Sequence, residues 1–550
     1  MALARPLEVQ PRPAAGPRAS PTLIIGALLI GLFFALATAH YLIAPLDRFD
    51  EGVTLTKGAM AAAGRVPYRD FWNTYGPLDT YILAAAFKLI AVNVEVARAL
   101  GAAVMVLIAA TAYALMRGLG LRWPIRLLMT GLISVAPLSL ATFNTPFLAI
   151  LLGLAALLTF MAGLDRPGAR CPALCGLMVG LIAFCRPEFA LALGGGLGVG
   201  YLVLALHPRS FSRRPGLLYL LTAVATSSAL WASMAVLAGL QPIWLDIVVH
   251  AITIYARSRR IPIGQGHEGP VVAILGAAFV LVWMLGALRA FRQREDAHEL
   301  ARIGTLLVAG MLAFAWVFTR ADGIHAMAAW PVTGVLLALL LQRRAASRPS
   351  ASPRLEAGAG LAGLLLCCLA AGGLTFRDLA HPSTSAGVPR AGIAGERAWM
   401  PAEQLAELIA RIEAATPQGQ PIWVGLKRND LVVFDDNSLY FLSGHFPGTV
   451  YDEALPGFTN TDLMERTIAC QLERSGVTLA VLGPNAAPEP WNLSALPGSS
   501  YLDRWIAGRA TSRIEIGPYE LVRLRPGVAP SGRCPSSDGA APFQGSPATR

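Results

Sequence analysis

The chain has 550 residues, of which 55% are hydrophobic and only 14% are charged, and its mean hydropathy is +0.53. Soluble domains carry about 25% charged residues, so this composition excludes an ordinary soluble protein and indicates a polytopic α-helical membrane protein. The formal net charge is +11, but the basic residues fall mainly in short loops between apolar segments. That distribution indicates membrane topology and argues against a nucleic-acid partner.

Eleven apolar segments have roughly the length needed to cross a bilayer, which is about 20 residues. They are 22–44, 96–116, 127–141, 147–164, 171–186, 190–206, 216–239, 269–288, 303–319, 327–342 and 357–375. These segments define a transmembrane module over 22–375. Residues 1–21 are polar and Pro-rich, and we expect them to form a cytoplasmic tail.

Residues 78–91 are the ambiguous segment, because they are short and carry Asp79, Tyr81 and Lys88. With eleven spans and an inside N-terminus, every inside segment contains arginines, as the positive-inside rule requires. If 78–91 also crossed the membrane, every later loop would change sides and the bias would reverse. We therefore expect an interfacial helix on the outer surface. The outside then holds 45–95, 142–146, 187–189, 240–268, 320–326 and everything after 375.

Two neighbouring carboxylates, Asp50 and Glu51, follow the first span in the run Phe49-Asp50-Glu51-Gly52. Such a pair at a membrane boundary is costly unless it faces water, protein or a substrate. Asp50 can simply cap a helix over 51–63, and a capped carboxylate held rigidly can also act in catalysis. Glu51 would point about 100° away around that helix, where it would brace a neighbour or favour the first turn.

The same loop continues with Arg65-Val66-Pro67-Tyr68-Arg69-Asp70-Phe71-Trp72 and then Tyr75-Gly76-Pro77. Residues 49–91 resemble the first external loop of GT-C class glycosyltransferases, particularly bacterial relatives of protein O-mannosyltransferases and of the lipid A aminoarabinose transferase. The resemblance implies that Asp50 is the catalytic carboxylate, acting as general base or orienting acceptor. Glu51 is a second catalytic candidate, and Tyr75 is a supporting one. After Asp50-Glu51-Gly52 this chain has Val53-Thr54, where family members often carry an aromatic residue. The resemblance therefore does not imply which acceptor the protein uses.

Two other external segments offer cations for a phosphate. Arg257 and Arg260 lie within 240–268, against the inside bias, either on an unconstrained surface loop or as ligands of a substrate anion. In Arg320-Ala-Asp322-Gly-Ile-His325, the arginine and aspartate can neutralise each other with the histidine satisfied nearby. Alternatively Arg320 and His325 hold the donor phosphate, supported by Asp322; this spacing resembles a recurring pattern of the bacterial family. Arg98 is a weaker phosphate candidate, for which snorkelling is the preferred interpretation.

The donor and cofactor predictions depend on nucleotide-binding and metal-binding motifs in the sequence. No Gly-rich nucleotide cradle and no external D-x-D motif stand out, which favours a lipid-phosphate donor over a nucleotide sugar. The seven cysteines show no metal-ligand spacing, so no metal site is predicted, and a divalent cation stays possible. Cys470 and Cys534 share the C-terminal region and can pair if that region faces an oxidising compartment.

Residues 376–525 read as a small external α/β domain, followed by a Pro/Gly/Ser-rich tail over 526–550 that we expect to be disordered. The predicted elements are helices over 402–416 and 462–474 and strands over 421–425, 477–482 and 519–524. Between them, 437–447 resembles the external C-terminal segment of the same bacterial family. Its aromatic residues either form core or line a saccharide or acceptor site.

These features predict a glycosyltransferase of the inner (plasma) membrane. It would move a hexose or pentose from a polyprenyl phosphate to a glycan, lipid or protein acceptor on the external face. One alternative is a secondary transporter whose Arg, Asp and His side chains bind a substrate. Another is a non-enzymatic envelope assembly or scaffold protein in which Asp50 only caps a helix.

Overall fold

The computed structural model describes residues 21–135, 138, 143–166, 168–207, 213–292, 296–346, 353–380, 390, 400–527 and 534–535. All of the predicted cytoplasmic tail except its last residue, and nearly all of the predicted disordered tail, therefore lie outside the described residues. Most of the described chain is helical, which confirms the predicted fold class.

The first part of the chain is a succession of helices. In chain order they are α1 (Pro21–Ile43), α2 (Asp50–Ala62), α3 (Leu78–Leu89), α4 (Val94–Gly118), α5 (Trp123–Val135), α6 (Thr145–Asp165), α7 (Arg170–Ala183), α8 (Pro187–Leu206), α9 (Arg214–Ala238), α10 (Leu240–Trp244), α11 (Ala256–Ser258), α12 (Gly269–Arg292), α13 (Ala297–Phe314), α14 (Gly323–Met327), α15 (Trp330–Ala346) and α16 (Pro353–Ala380). A π-helix, Leu245–Tyr255, joins α10 to α11, and a 3₁₀ turn, Ala315–Phe318, follows α13.

All eleven predicted spans contain a helix in the structure. Within the described residues, eight helices are long and apolar enough to cross a membrane: α1, α4, α6, α8, α9, α12, α13 with its 3₁₀ extension, and α16. The other three predicted spans are the shorter apolar helices α5, α7 and α15. The chain is therefore a multi-pass membrane protein. The segment predicted to lie at the interface is the helix α3, and its place relative to the membrane stays a prediction.

The C-terminal part is the small α/β unit that the sequence predicts. Its elements are α17 (Ala402–Ala415), β1 (Trp423–Leu426), α18 (Ser438–Ser443), α19 (Asp462–Arg474), β2 (Leu479–Gly483), α20 (Tyr501–Arg509), β3 (Ala510–Ile516) and β4 (Tyr519–Leu524). The sheet order is β1-β2-β4-β3, with β1 parallel to β2 and the other neighbours antiparallel. The sequence pattern did not predict α18, α20 or β3. The strand β3 is largely exposed and carries little apolar pattern.

The two parts pack directly against each other through α2, α3 and α18. Phe87 of α3 stacks on Phe441 of α18 with ring centroids 5.7 Å apart, and Thr56 of α2 donates a hydrogen bond to the Asn437 carbonyl at 2.9 Å. A Cβ at Gly52 would overlap the backbone nitrogen of Ser438 and lie 2.9 Å from its Cα. The glycine after Asp50-Glu51 thus permits α2 to touch the start of α18.

A disulfide joins Cys470 of α19 to Cys534, with the two Cα atoms 5.6 Å apart. It fixes residues 534–535 against α19, where the Thr467 hydroxyl also donates to the Pro535 carbonyl at 3.1 Å. The other five cysteines are free. The paired cysteines are the two in the C-terminal part, as the sequence allowed.

Candidate active site

Asp50 is the first residue of α2, but it does not cap that helix. Asp47 accepts hydrogen bonds from the backbone N–H groups of Phe49 and Glu51, at 3.0 and 3.3 Å. Glu51 accepts in turn from the Asp47 N–H at 3.1 Å, so Asp47 and Glu51 bond reciprocally just before and at the start of α2. Within the described chain no side chain or backbone donor is bonded to the Asp50 carboxylate. The capping interpretation of Asp50 is therefore wrong, and its carboxylate stays available.

The Asp50 carboxylate lines a cavity of about 120 Å³. Burial raises the pKa of Asp50 to about 6, and the nearby Asp47 charge adds to this, while Arg259 and Arg320 oppose it. A carboxyl with such a pKa is largely ionised at neutral pH yet still basic enough to accept a proton, which is the balance that general-base catalysis needs.

Glu51 points away from the cavity into a buried ion pair with Arg98 of α4. The pair is bidentate, with Nε to Oε1 at 2.8 Å and Nη2 to Oε2 at 2.9 Å, and Arg98 is fully buried. The guanidinium also donates to the carbonyls of Leu42 (3.2 Å), Ala44 (2.5 Å) and Pro45 (3.3 Å). Arg98 therefore ties the end of α1 and the start of α2 to α4, and neither Arg98 nor Glu51 lines the cavity.

Among the arginines of the segment predicted to be external, Arg259 lies at the cavity, whereas Arg257 and Arg260 are exposed and do not line it. The Arg259 guanidinium stacks on the Phe49 ring, 4.1 Å from its centroid, and donates to the Val433 carbonyl at 3.4 Å. The sequence carried a signal for this choice. Tyr255 and Arg259 are four residues apart, the spacing that shares a helical face, and both line the cavity.

The Arg320, Asp322 and His325 side chains form a contact network just behind Arg259. Arg320 Nε donates to Asp322 at 2.8 Å, and its Nη2 donates to Glu489 of the C-terminal part at 3.1 Å. Its Nη1 donates to the Arg259 carbonyl at 3.1 Å. The other Asp322 oxygen accepts from the backbone of His325 at 3.0 Å and lies 2.6 Å from its ring Nδ1. In the structure, the Asp322 carboxylate pairs with both Arg320 and His325. Through the Arg320 contact with its carbonyl, the network also fixes the backbone of Arg259.

The far wall of the cavity holds charged residues that the sequence reading did not single out. Asp50, Thr54 and Lys57 lie on one face of α2. The Lys57 ammonium pairs with Glu453 and donates to the Asn73 side-chain amide oxygen, Oδ1, at 3.5 Å. Burial lowers the pKa of Lys57, but Glu453 and other nearby acids outweigh it, and the net shift is upward. Periodicity on α2 would have found Lys57, whereas its partner is 396 residues away in sequence.

Asp79 and Tyr75 complete the cavity beside α3. Burial raises the pKa of Asp79 to about 7, and its Oδ1 has no hydrogen-bond partner among the described residues. The Tyr75 ring is covered by the fully buried guanidinium of Arg186, 3.7 Å from the ring centroid. Arg186 is held in turn by Glu188 at 2.6 Å and Thr145 at 2.9 Å. A Cβ at Gly76 would overlap the Phe184 carbonyl, so this loop packs tightly on the end of α7.

Metal ligation is not evident in this arrangement. Over the residues that the structure describes, no group of three or more His, Cys, Asp or Glu side chains is placed to hold a metal ion. The predicted possibility of a divalent cation stays a prediction.

The fold is that of ArnT, the lipid A aminoarabinose transferase. Two crystal structures of ArnT from Cupriavidus metallidurans, one bound to undecaprenyl phosphate and one in the apo state, each superpose with a TM-score of 0.55. They are 13% and 12% identical to this chain, and each match covers 91% of this chain and 97% of the ArnT chain. No protein-family profile and no curated protein sequence matches the chain. The likeness establishes a GT-C fold and confirms the resemblance seen in the sequence at that level.

Proposed function

We propose that this protein is a glycosyltransferase that moves a sugar from a polyprenyl-phosphate donor to an acceptor on the external face of the inner membrane. The observation that carries the proposal is the unbonded Asp50 carboxylate, which shares one cavity with the Arg259 guanidinium. The ArnT fold supports a lipid-phosphate donor, because one of the ArnT structures holds undecaprenyl phosphate.

In the proposed reaction, the acceptor hydroxyl or amine attacks the anomeric carbon of the donor sugar. Asp50 takes the acceptor proton as the new bond forms, and the bond from the anomeric carbon to the phosphate oxygen breaks. The polyprenyl phosphate leaves with the bonding electron pair. Arg259 binds that phosphate, since a guanidinium suits phosphate oxygens and its charge offsets the charge that develops there.

The other predicted site residues take supporting roles in this proposal. Arg259 replaces Arg257 and Arg260 as the phosphate-binding arginine. Arg320, with Asp322 and His325, positions Arg259 through its carbonyl contact. Glu51 and Arg98 lock the helix that carries Asp50, and Tyr75 shapes the cavity wall.

The proposed orientation places the N-terminus in the cytoplasm and the C-terminal part outside. The disulfide supports it, because disulfides persist in oxidising compartments and are rare in the cytosol. The paired cysteines, Cys470 and Cys534, belong to the part predicted to lie outside.

The deciding test is Asp50→Asn, scored by mass spectrometry of cell-envelope glycans and lipids at matched protein abundance. We expect the sugar modification to fall by about a hundredfold or more, as removal of a positioned general base typically costs 10²–10⁴ in rate. Asp462→Asn is the matched control, because it alters an exposed aspartate paired with Arg466 on α19. An envelope that changes on gene deletion but not with Asp50→Asn would contradict the proposal.

A further inference from the structure

A second cavity lies beside the candidate active site and has no part in the mechanism above. Its volume is about 530 Å³, within the usual range of small-molecule sites. Four parts of the chain enclose it: the loop around 68–72, the short helix α10, the start of the π-helix, and the C-terminal part with the disulfide-bonded Cys534.

The π-helix Leu245–Tyr255 connects this cavity to the one at Asp50. Asp246 at its start lines the second cavity, and Tyr255 at its end lines the first. π-Helices are rare and frequently mark functional sites. Trp72 lines the second cavity and stacks on Tyr255, with ring centroids 6.0 Å apart and planes inclined by 24°. One stacked ring pair therefore lies between the two cavities.

The lining combines aromatic rings and amides with three charged side chains, Arg69, Asp246 and Arg474. Tyr68, Trp72 and Tyr451 contribute rings, and Gln241 and Gln471 contribute amides. A sugar ring offers C–H faces to aromatic side chains and hydroxyls to amides and carboxylates at its edge, so this lining suits a saccharide. The indole N–H of Trp72 is buried and unbonded among the described residues, although such groups usually find a partner.

The loop that carries these rings is held in an unusual conformation. Tyr68 has a φ of 67°, in the left-handed region that residues other than glycine rarely adopt, and no other non-glycine residue of the described chain has a positive φ. Its backbone N–H donates to the Phe71 carbonyl at 2.8 Å, and its hydroxyl donates to the Tyr75 carbonyl at 2.5 Å. Strained residues that the surroundings hold in place cluster at functional sites.

We propose that this second cavity binds the saccharide portion of the acceptor, next to the unit that receives the sugar. The inference rests on the proposed transferase function and names its acceptor class as a glycan or glycolipid. Binding the non-reacting part of the acceptor beside the catalytic cavity would supply the orientation that the transfer step needs.

The test fills the cavity from an exposed position. Gln241→Trp places an indole in the cavity, and Leu240→Trp is the matched control, because Leu240 is 71% exposed and does not line it. Each variant replaces the wild-type gene, and the envelope is separated into glycan and protein fractions for mass spectrometry. We expect at least a tenfold loss of the glycan modification with Gln241→Trp and none with Leu240→Trp. Undecaprenyl phosphate should raise the Tm of both purified variants as much as that of the wild type.

Four other outcomes would overturn the inference, and they separate it from the proposed function. If Gln241→Trp and Leu240→Trp both keep wild-type modification while Asp50→Asn loses it, the cavity assignment is wrong and the transferase stands. If undecaprenyl phosphate no longer stabilises Gln241→Trp, the cavity serves the donor. If the sugar appears in the protein fraction, the acceptor is a polypeptide. If Asp50→Asn keeps the modification, the transferase proposal falls and the acceptor inference falls with it.

Discussion

At the residue scale, the main feature of the candidate site is the difference in environment between the adjacent carboxylates of Asp50 and Glu51. Glu51 is saturated by Arg98 and the Asp47 N–H, whereas the neighbouring Asp50 has no such partners in the described chain. Their different environments follow from the helix, which turns one toward α4 and the other toward the cavity. The same logic separates Arg259 from Arg257 and Arg260, because the turn after α11 directs only the middle arginine inward.

The first prediction at this scale is a pH dependence. Asp50 must be ionised to accept a proton, and its pKa is about 6, so we expect kcat/KM to fall as the pH drops through that value. Arg259 lowers the pKa of Asp50, so Arg259→Ala should move this acid limb to higher pH as well as weaken donor binding. The measurement is the pH profile of sugar transfer by membranes that carry each variant.

Arg257→Ala is the control for that profile, since Arg257 is a neighbouring exposed arginine that does not line the cavity. We expect its acid limb to coincide with that of the wild type. An unshifted limb in Arg259→Ala, or an equal shift in both variants, would contradict the assignment of Arg259 to the Asp50 cavity.

At the element scale, α2 is the helix that brings the site together. It carries Asp50 and Lys57 on its cavity face, and Gly52 permits its contact with α18. We expect Gly52→Ala to destabilise the protein by about 1–3 kcal/mol, the usual cost of overpacking, because the new methyl group would meet the Ser438 backbone. Thermal unfolding in detergent and transfer activity would both report the displacement of α2.

Gly198→Ala is the matched control for Gly52→Ala. It also lies inside a helix, α8, but a Cβ there meets nothing within 4 Å. Alanine is favoured over glycine in helices by about 1 kcal/mol, so this variant should be neutral or slightly more stable. Equal stability of the two variants would show that α2 and α18 are not in close contact.

The sequence predicted elements better than it predicted contacts between them. Bilayer thickness and the cost of unpaired backbone groups in lipid impose the span pattern on local composition, so the helix in each of the eleven predicted spans was visible in the sequence. Local composition could not predict the pairing of Glu51 with Arg98 or of Arg320 with Glu489, because the partners are 47 positions apart in the first pair and 169 in the second. The sequence predicted that Asp50 lies at the start of a helix. Only the fold shows that Arg259, among the neighbouring arginines, lines the same cavity as Asp50.

At the scale of the whole molecule, the cavity at Asp50 is lined by parts of the chain that are distant in sequence. The helix α2 supplies Asp50 and Lys57, and the C-terminal part supplies Glu453 and Leu455. The C-terminal part is therefore a wall of the site and not an appended domain. The ion pair between Lys57 and Glu453 is a charged link across this boundary, with both side chains at least 90% buried.

The last prediction concerns that ion pair. Glu453→Gln leaves the buried Lys57 ammonium without its carboxylate, and breaking a buried pair in this way costs about 3–5 kcal/mol. The double variant Lys57→Met/Glu453→Gln removes both charges, so we expect it to be more stable than Glu453→Gln alone, and the single variant Lys57→Met completes the double-mutant cycle. The Asp462–Arg466 pair is exposed, and the same cycle there, with Asp462→Asn and Arg466→Met, should give a coupling of about 0.5 kcal/mol. Denaturant unfolding of the purified variants measures both couplings, and equal values would mean that Lys57 and Glu453 do not meet in a buried interface.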